Sequence, residues 1–348
     1  MKKSPYRSLS GLLRITGALG ALLLWAAPAL AADSAVFLMY HRFGESDYPS
    51  TNIRLEQFEE HIKELSTGGY SVLPAEQAVE ALRNGRQLPD RTVVITIDDG
   101  YRSIYTEAWP RLKAAGLPFT VFIATAPIDQ ERPGYMTWDQ IREMRDAGVT
   151  IGAHTVTHLH MPRADNDRLE REIVESNKRF AAELGTAPRL FAYPYGEISV
   201  AARELVLGVG KYVGAFGQQS GATHVTSDPF NMPRYALNED YGNMSRFKLV
   251  ANSLPIPVED LTPMDFVVGE TNPPLVGFTV APGIDPLDRL ACFASTEGKI
   301  PLLRLGERRV EVRLSEPLPV GRSRINCTMP GGEGRWRWLG LQFTRPRT

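Results

Sequence analysis

Histidine and cysteine are scarce: the 348 residues hold six histidines and two cysteines. Two cysteines allow one disulfide at most, which excludes a small scaffold stapled by many bridges. There is no surplus of charge either, with 39 basic against 40 acidic residues and a net charge of −1. No global field therefore draws the chain to nucleic acid or to an anionic membrane, and a neutral or weakly charged substrate suits it better. No apolar run reaches the roughly 20 residues that a membrane-spanning helix needs. Internal repeats and low-complexity tracts are also missing. What is there, 43% hydrophobic and 23% charged residues, is the balance of an ordinary globular protein with a sizeable core. The length allows two domains, or one large domain with a small appendage.

The first thirty-odd residues differ from the rest. Lys2, Lys3, Arg7 and Arg14 precede an apolar stretch from Gly17 to Ala27, and Ala29-Leu30-Ala31 follows. That order predicts a secretory signal peptide over residues 1–31, cleaved after Ala31 or Ala32. The mature chain is then expected to lack an integral membrane segment and to be periplasmic or secreted. Cys292 and Cys327 both lie in the C-terminal part of a chain leaving the reducing compartment, so a disulfide is expected, with two buried thiols as the alternative.

From Ala35 to about Val250 short apolar runs alternate with segments of helical period, the pattern of an α/β fold with a mostly parallel sheet. Strands are expected at Ala35–Tyr40, Thr92–Ile97, Phe119–Ala124, Val149–Ala153 and Leu190–Tyr193. Leu55, Phe58, Ile62 and Leu65 keep helical spacing, as do Leu169, Ile173 and Phe180. Between about Leu254 and Pro274 five prolines interrupt any regular element, which reads as a linker. Beyond it, short strand-like segments at Leu275–Val280, Arg289–Ala294, Arg309–Leu314 and Trp336–Phe343 predict a small all-β module.

The chemistry-bearing residues cluster at the ends of the expected strands. Thr96-Ile97-Asp98-Asp99-Gly100 runs an apolar strand into two carboxylates, which repel unless a cation or shared proton relieves them. Such a pair fits a metal ligand, Asp99, beside a general base, Asp98; a solvated turn is the alternative. Gly152-Ala153-His154-Thr155-Val156-Thr157-His158 puts two histidines four apart, the spacing that brings two rings to one side of a helical turn and to one ion. His160 is the expected bystander. Together Asp99, His154 and His158 make an Asp-His-His site with an open position, as hydrolytic metal catalysis requires. In that reading a metal-bound water is the nucleophile, Asp98 takes its proton, and an amide carbonyl is attacked. Phe191-Ala192-Tyr193-Pro194-Tyr195-Gly196 ends another strand in a tight turn able to offer the Tyr195 backbone N–H to an oxyanion.

The order TIDDG, HTVTH, FAYPYG resembles the polysaccharide deacetylase family, the NodB-homology or carbohydrate esterase family 4 enzymes. Its signature is TFDDG, then H-S/T-x-x-H, then a PYG turn. The resemblance covers about Ala35 to Val250 and includes Phe37-Leu38-Met39-Tyr40-His41-Arg42 and Met136-Thr137-Trp138, features similar to the branch acting on poly-N-acetylglucosamine. It implies a distorted (β/α)7 barrel, taken here as residues 32–264, while the strand-like segments beyond it make 265–348 a β-sandwich-like module. It also implies Asp98 as base, with Asp99, His154 and His158 holding a divalent metal, Zn²⁺ being the first choice. The partner it implies is an N-acetylated glycan polymer, either poly-N-acetylglucosamine, peptidoglycan or a similar one.

The chain departs from the family pattern twice. The third motif usually carries an arginine two residues before the proline, where this chain has Ala192, so Arg234 is the candidate to orient Asp98. A Leu-x-His motif for the general acid is also absent. His41 is then the candidate acid, with His224 as the alternative. These departures keep a second class open, a glycan-binding protein with a metal pocket and no turnover; an amidase for a non-sugar substrate is a third. In the module, Trp336 and Trp338 would share one strand face, either stacking on sugar rings or buried in the core or against the barrel.

Overall fold

The computed structural model describes residues 1–2 and 31–347. The expected signal peptide lies outside the described residues but for Met1, Lys2 and Ala31. Strands β1 (Ser34–Tyr40), β2 (Thr92–Ile97), β3 (Phe119–Ile123), β4 (Thr150–Ala153), β5 (Leu190–Ala192) and β6 (Gly214–Phe216) form one curled parallel sheet in chain order. An antiparallel strand, β7 (Ala222–His224), flanks β1. The sheet closes through the stretch after it. Met232 bridges Phe216 on β6, and β8 (Tyr235–Ala236) pairs in parallel with Leu38 and Met39 on β1. Arg234 falls between those two contacts. The architecture is thus the α/β, distorted barrel that the motif order implies.

The strands are buried on both faces, which is why they read as continuous apolar runs rather than alternating ones. One face of β1 to β4, with Leu38, Ile95, Val121 and Ile151, packs under the helices. These include α1 (Leu55–Thr67) and the long helix at Asn166–Leu184. The other face fills the barrel with Phe37, Phe122 and Phe216, whose rings lie 4.9 and 5.5 Å apart. Gly152 on β4 is required by that filling, because a Cβ there would stand 2.3 Å from the Phe122 ring. Side-chain alternation along β2 carries the inward face from Val94 through Thr96 to Asp98, above the rings.

The C-terminal part is all β. One sheet runs β9 (Leu254–Pro255), β17 (Trp336–Arg345), β16 (Gly321–Pro330), β12 (Ala291–Ala294) and β13 (Gly298–Ile300). The other runs β10 (Val258–Thr262), β11 (Val276–Val280), β15 (Arg309–Val312) and β14 (Leu302–Leu305). Between them lies a separate core that includes Phe278, Val310, Ile325 and Phe343. Two expectations need correction here. The supposed linker contributes β9 and β10, because its prolines leave room for short strands that pair at sheet edges. The two tryptophans do not share an environment. Trp338 stands edge-on to Tyr235 at 5.5 Å and donates to Asn326, whereas Trp336 is exposed. Cys292 and Cys327 are register partners on β12 and β16, with their sulfurs in contact.

The module sits tightly on the barrel. Gly340 on β17 lies so close to Ser220 that a Cβ would stand 2.0 Å from the Ser220 carbonyl oxygen, so only glycine fits. Arg335 donates to Asp90 at 2.9 Å and to the Asn252 carbonyl at 2.7 Å.

Candidate functional site

At the end of β2, Asp98 keeps its inward strand position. Asp99 and Gly100 then take positive φ of 77° and 83°, and this left-handed turn brings both carboxylates to one pocket. Asp98 is fully buried. Burial alone would raise its pKa, but the charge of Arg234, then His154, and the Arg234 hydrogen bonds override it and hold the carboxyl below its ordinary range. Arg234 Nη1 and Nη2 donate to Asp98 Oδ1 and Oδ2, each at 2.7 Å, and Nη1 also reaches Thr96 Oγ1 at 3.1 Å. The guanidinium carbon stands 5.5 and 5.7 Å from the Phe122 and Phe216 ring centres, so the aromatic filling of the barrel supports it.

His154 directly follows β4, but the residues after it, up to His160, form no helix, contrary to expectation. Thr155 and His158 adopt φ of 66° and 57°, so the loop reverses tightly and brings the two rings 4.8 Å apart. His154 Nδ1–H donates to the Ala192 carbonyl at 2.6 Å, which fixes the tautomer and turns Nε2 inward. His154 Nε2 and His158 Nε2 lie 3.4 and 3.2 Å from Asp99 Oδ1. One ligand atom from each of the three residues falls within 4.8 Å of the others. Asp99 Oδ1 and His154 Nε2 are buried without a hydrogen-bond partner. Buried polar atoms are rarely left so, and two that converge with a third donor suit a divalent cation. Burial would raise the Asp99 pKa, yet the His154 and His158 rings beside it hold the carboxyl well below its ordinary range.

Tyr195, at φ 60°, turns the chain beside this centre. Its ring meets His158 edge-on at 4.4 Å and stacks flat on His160 at 4.0 Å. His160, expected as a bystander, is tied by Nδ1 to Glu197 at 2.8 Å and so forms the wall behind Tyr195. His41 Nε2 stands 3.9 Å from Asp98 Oδ2, and burial is the main cause lowering its pKa. His224, the alternative acid, is on β7 opposite Ser34, at the start of β1, and contacts Asp33 and Thr226. At about 3.3 Å per residue, that is on the order of 20 Å from His41 at the other end of β1. Distance therefore removes His224 from the site, a relation that only the antiparallel pairing of β7 reveals.

Glu172 was missed. From the helix Asn166–Leu184 it accepts hydrogen bonds from the Val156 and Thr157 N–H groups at 2.9 and 2.8 Å and from the Thr157 hydroxyl at 2.8 Å, pinning the histidine loop. A signal was available, since Glu172 shares the helix face of Leu169, Ile173, Ser176 and Phe180, all buried.

Residues 85–213 match the polysaccharide deacetylase family model. Over that stretch the chain is similar to the family. The Bacillus subtilis protein YxkH is 30% identical to it over 46% of this chain and 56% of its own length. An Escherichia coli K12 protein named poly-beta-1,6-N-acetyl-D-glucosamine N-deacetylase is 26% identical over 46% of this chain and 30% of its own. This chain thus spans about half or less of those two relatives. Two solved structures share the fold of the barrel. The Streptococcus pyogenes deacetylase PplD matches with a TM-score of 0.58 at 20% identity, over 63% of this chain and 98% of its own. IcaB from Ammonifex degensii matches with a TM-score of 0.57 at 24% identity, over 64% and 98%. No helix among the described residues is long and apolar enough to cross a membrane.

Proposed function

We propose that this chain removes N-acetyl groups from an amino-sugar polysaccharide by metal-dependent hydrolysis, releasing acetate. The observation that carries this reading is the pairing of two buried, unpartnered ligand atoms, Asp99 Oδ1 and His154 Nε2, with an arginine-clamped carboxylate one residue away. Asp99, His154 and His158 would hold the ion, with Zn²⁺ preferred by two imidazoles and a carboxylate. When bound, the ion supplies Lewis acidity toward the acetyl carbonyl and toward water. Asp98, kept ionised by Arg234, takes the proton of the attacking water. The Tyr195 N–H donates to the oxygen of the carbonyl as it gains charge. His41, whose Nε2 stands 3.9 Å from Asp98 Oδ2, takes up the proton that Asp98 has gained and passes it to the departing amine nitrogen, which leaves both side chains as they began. The sum is amide and water to acetate and amine.

The substrate we infer is an exported polymer of the poly-N-acetylglucosamine or peptidoglycan kind, met after secretion. We assign the deacetylase domain to the chain up to Ser253 and the β-module to the rest, since Leu254 already pairs with Arg337 on β17. The test is acetate release by purified, zinc-loaded protein from a panel of defined acetylated amino-sugar polymers and peptidoglycan. Zinc retention without acetate from any of them would leave a glycan-binding protein instead.

A further inference from the structure

We propose that the C-terminal β-module completes the active site, with Gln342 on β17 as the positioning residue for the Tyr195 turn; this rests on the role given to the Tyr195 N–H above. Gln342 is buried, and its side-chain amide is fully used across the boundary between the two parts of the chain. Nε2 donates to the carbonyls of Tyr195 and Gly196, both at 2.9 Å. Oε1 accepts from Arg324 Nε at 3.1 Å, which fixes the amide's orientation. No other side chain among the described residues donates to both carbonyls. Arg322, on β16 beside it, adds a longer bond of 3.4 Å to the Tyr195 carbonyl and lies 5.5 Å from its ring centre.

A non-glycine residue at positive φ lies uphill of the ordinary right-handed or extended conformations. Tyr195 holds φ 60° and is followed by Gly196 at φ 66°. The Gly196 N–H is committed to the Tyr193 carbonyl at 2.9 Å, so the donors on Gln342 complete the fixing of the following peptide planes. The direction of the Tyr195 N–H is set through φ and ψ of that one residue. A donor that stabilises developing charge loses most of its value when misaimed by a fraction of an ångström. The module's contribution is therefore to the chemical step on any substrate, however short, and not to the holding of long polymer.

The experiment is Gln342→Met, which keeps length and removes both donors, studied in the full chain with zinc bound. Amide hydrogen exchange across residues 193–197 should quicken at least tenfold while exchange in β16 and β17 away from residue 342 stays as in the parent. On a short acetylated oligomer kcat should fall about tenfold or more with KM within twofold, and zinc stoichiometry should hold. Gln342→Asn, too short to reach both carbonyls, should fall between. Unchanged exchange at 193–197 overturns the clamp. Faster exchange with kcat intact, or a loss confined to KM on long polymer, overturns the positioning role. If the parent protein releases no acetate from any substrate, the deacetylase reading fails by itself; the positioning role falls with it, and exchange alone then decides the clamp.

Discussion

Arg234 and Asp98 form a two-point ion pair in the barrel interior, both side chains fully buried and both bonds 2.7 Å long. Breaking such a pair leaves a buried charge alone, at a cost of roughly 3–5 kcal/mol. Arg234→Met should destabilise the fold on that scale. It should also raise the Asp98 pKa, since burial is then opposed by fewer charges, and lower kcat by about 100-fold or more, the scale of a general base. Arg234→Lys should rescue little, because an ammonium cannot make two parallel bonds. Urea unfolding and a pH–rate profile would check this; an unchanged acidic limb would refute the assignment.

The two adjacent aspartates should separate in their effect on metal. Asp98→Asn should retain zinc and lose turnover, whereas Asp99→Asn and His154→Ala should lose both, since only the latter two present unpartnered atoms to the ion. Chelation should abolish turnover and added zinc restore it. Equal zinc loss from Asp98→Asn and Asp99→Asn, measured by metal analysis, would sink this division of labour.

Much of this site was legible in the sequence because its parts sit at strand ends, where a short motif carries its own geometry. Asp98, Asp99, His154 and His158 needed only the strand, the turn and the spacing. Arg234 was legible as a candidate from the gap at Ala192, but its pairing with Asp98 depends on how the stretch from Met232 to Ala236 closes the sheet. The loop at His154–His158 was misread as a helical turn because the i,i+4 spacing does not distinguish a helix from a reversal through two left-handed residues. Gln342 was illegible, since nothing local in β17 says that it lies against Tyr195.

Glu172 should govern metal affinity without touching the ion. Its Oε2 accepts two backbone N–H groups of the histidine loop and its Oε1 accepts from Arg168 Nη2, so Glu172→Gln turns its amide hydrogens either toward Arg168 or toward the two N–H groups. Supports of this kind typically weigh about 10–100-fold in metal affinity. Competition with a chromophoric chelator should show zinc binding weakened on that scale, with little change in unfolding midpoint for the apo protein.

His61 should make the barrel sensitive to acid. Its ring is buried, stacked on Phe247 at 4.0 Å, with Nε2 against the Gly242 carbonyl and Nδ1 facing the Tyr40 hydroxyl. Nε2–H donates and Nδ1 accepts, so the neutral ring is fully satisfied. Burial lowers its pKa from 6.5 to about 4. Between those values the unfolded chain binds the extra proton and the folded one does not, so stability is whole above pH 6.5 and falls as the pH drops toward 4. The contribution is about 2–3 kcal/mol across that window. His61→Gln, whose amide can still donate to Gly242, should flatten the dependence of the urea midpoint on pH between 4 and 6.5; an unchanged slope would contradict the assignment.

Cys292 and Cys327 pair across β12 and β16 inside the module's own core, both fully buried. A bridge closing a loop of 35 residues contributes on the order of 3–4 kcal/mol in the chain-entropy model, a large share of what a small core supplies. Mass analysis after alkylation should find neither cysteine alkylated unless the protein is first reduced. Replacing both with alanine should lower the module's unfolding temperature well before that of the barrel. Because β16 and β17 carry Arg324 and Gln342, turnover on a short oligomer should then fade with the module's transition while zinc stays bound. Turnover that instead persists until the barrel itself melts would mean that the module and the Tyr195 turn are energetically independent.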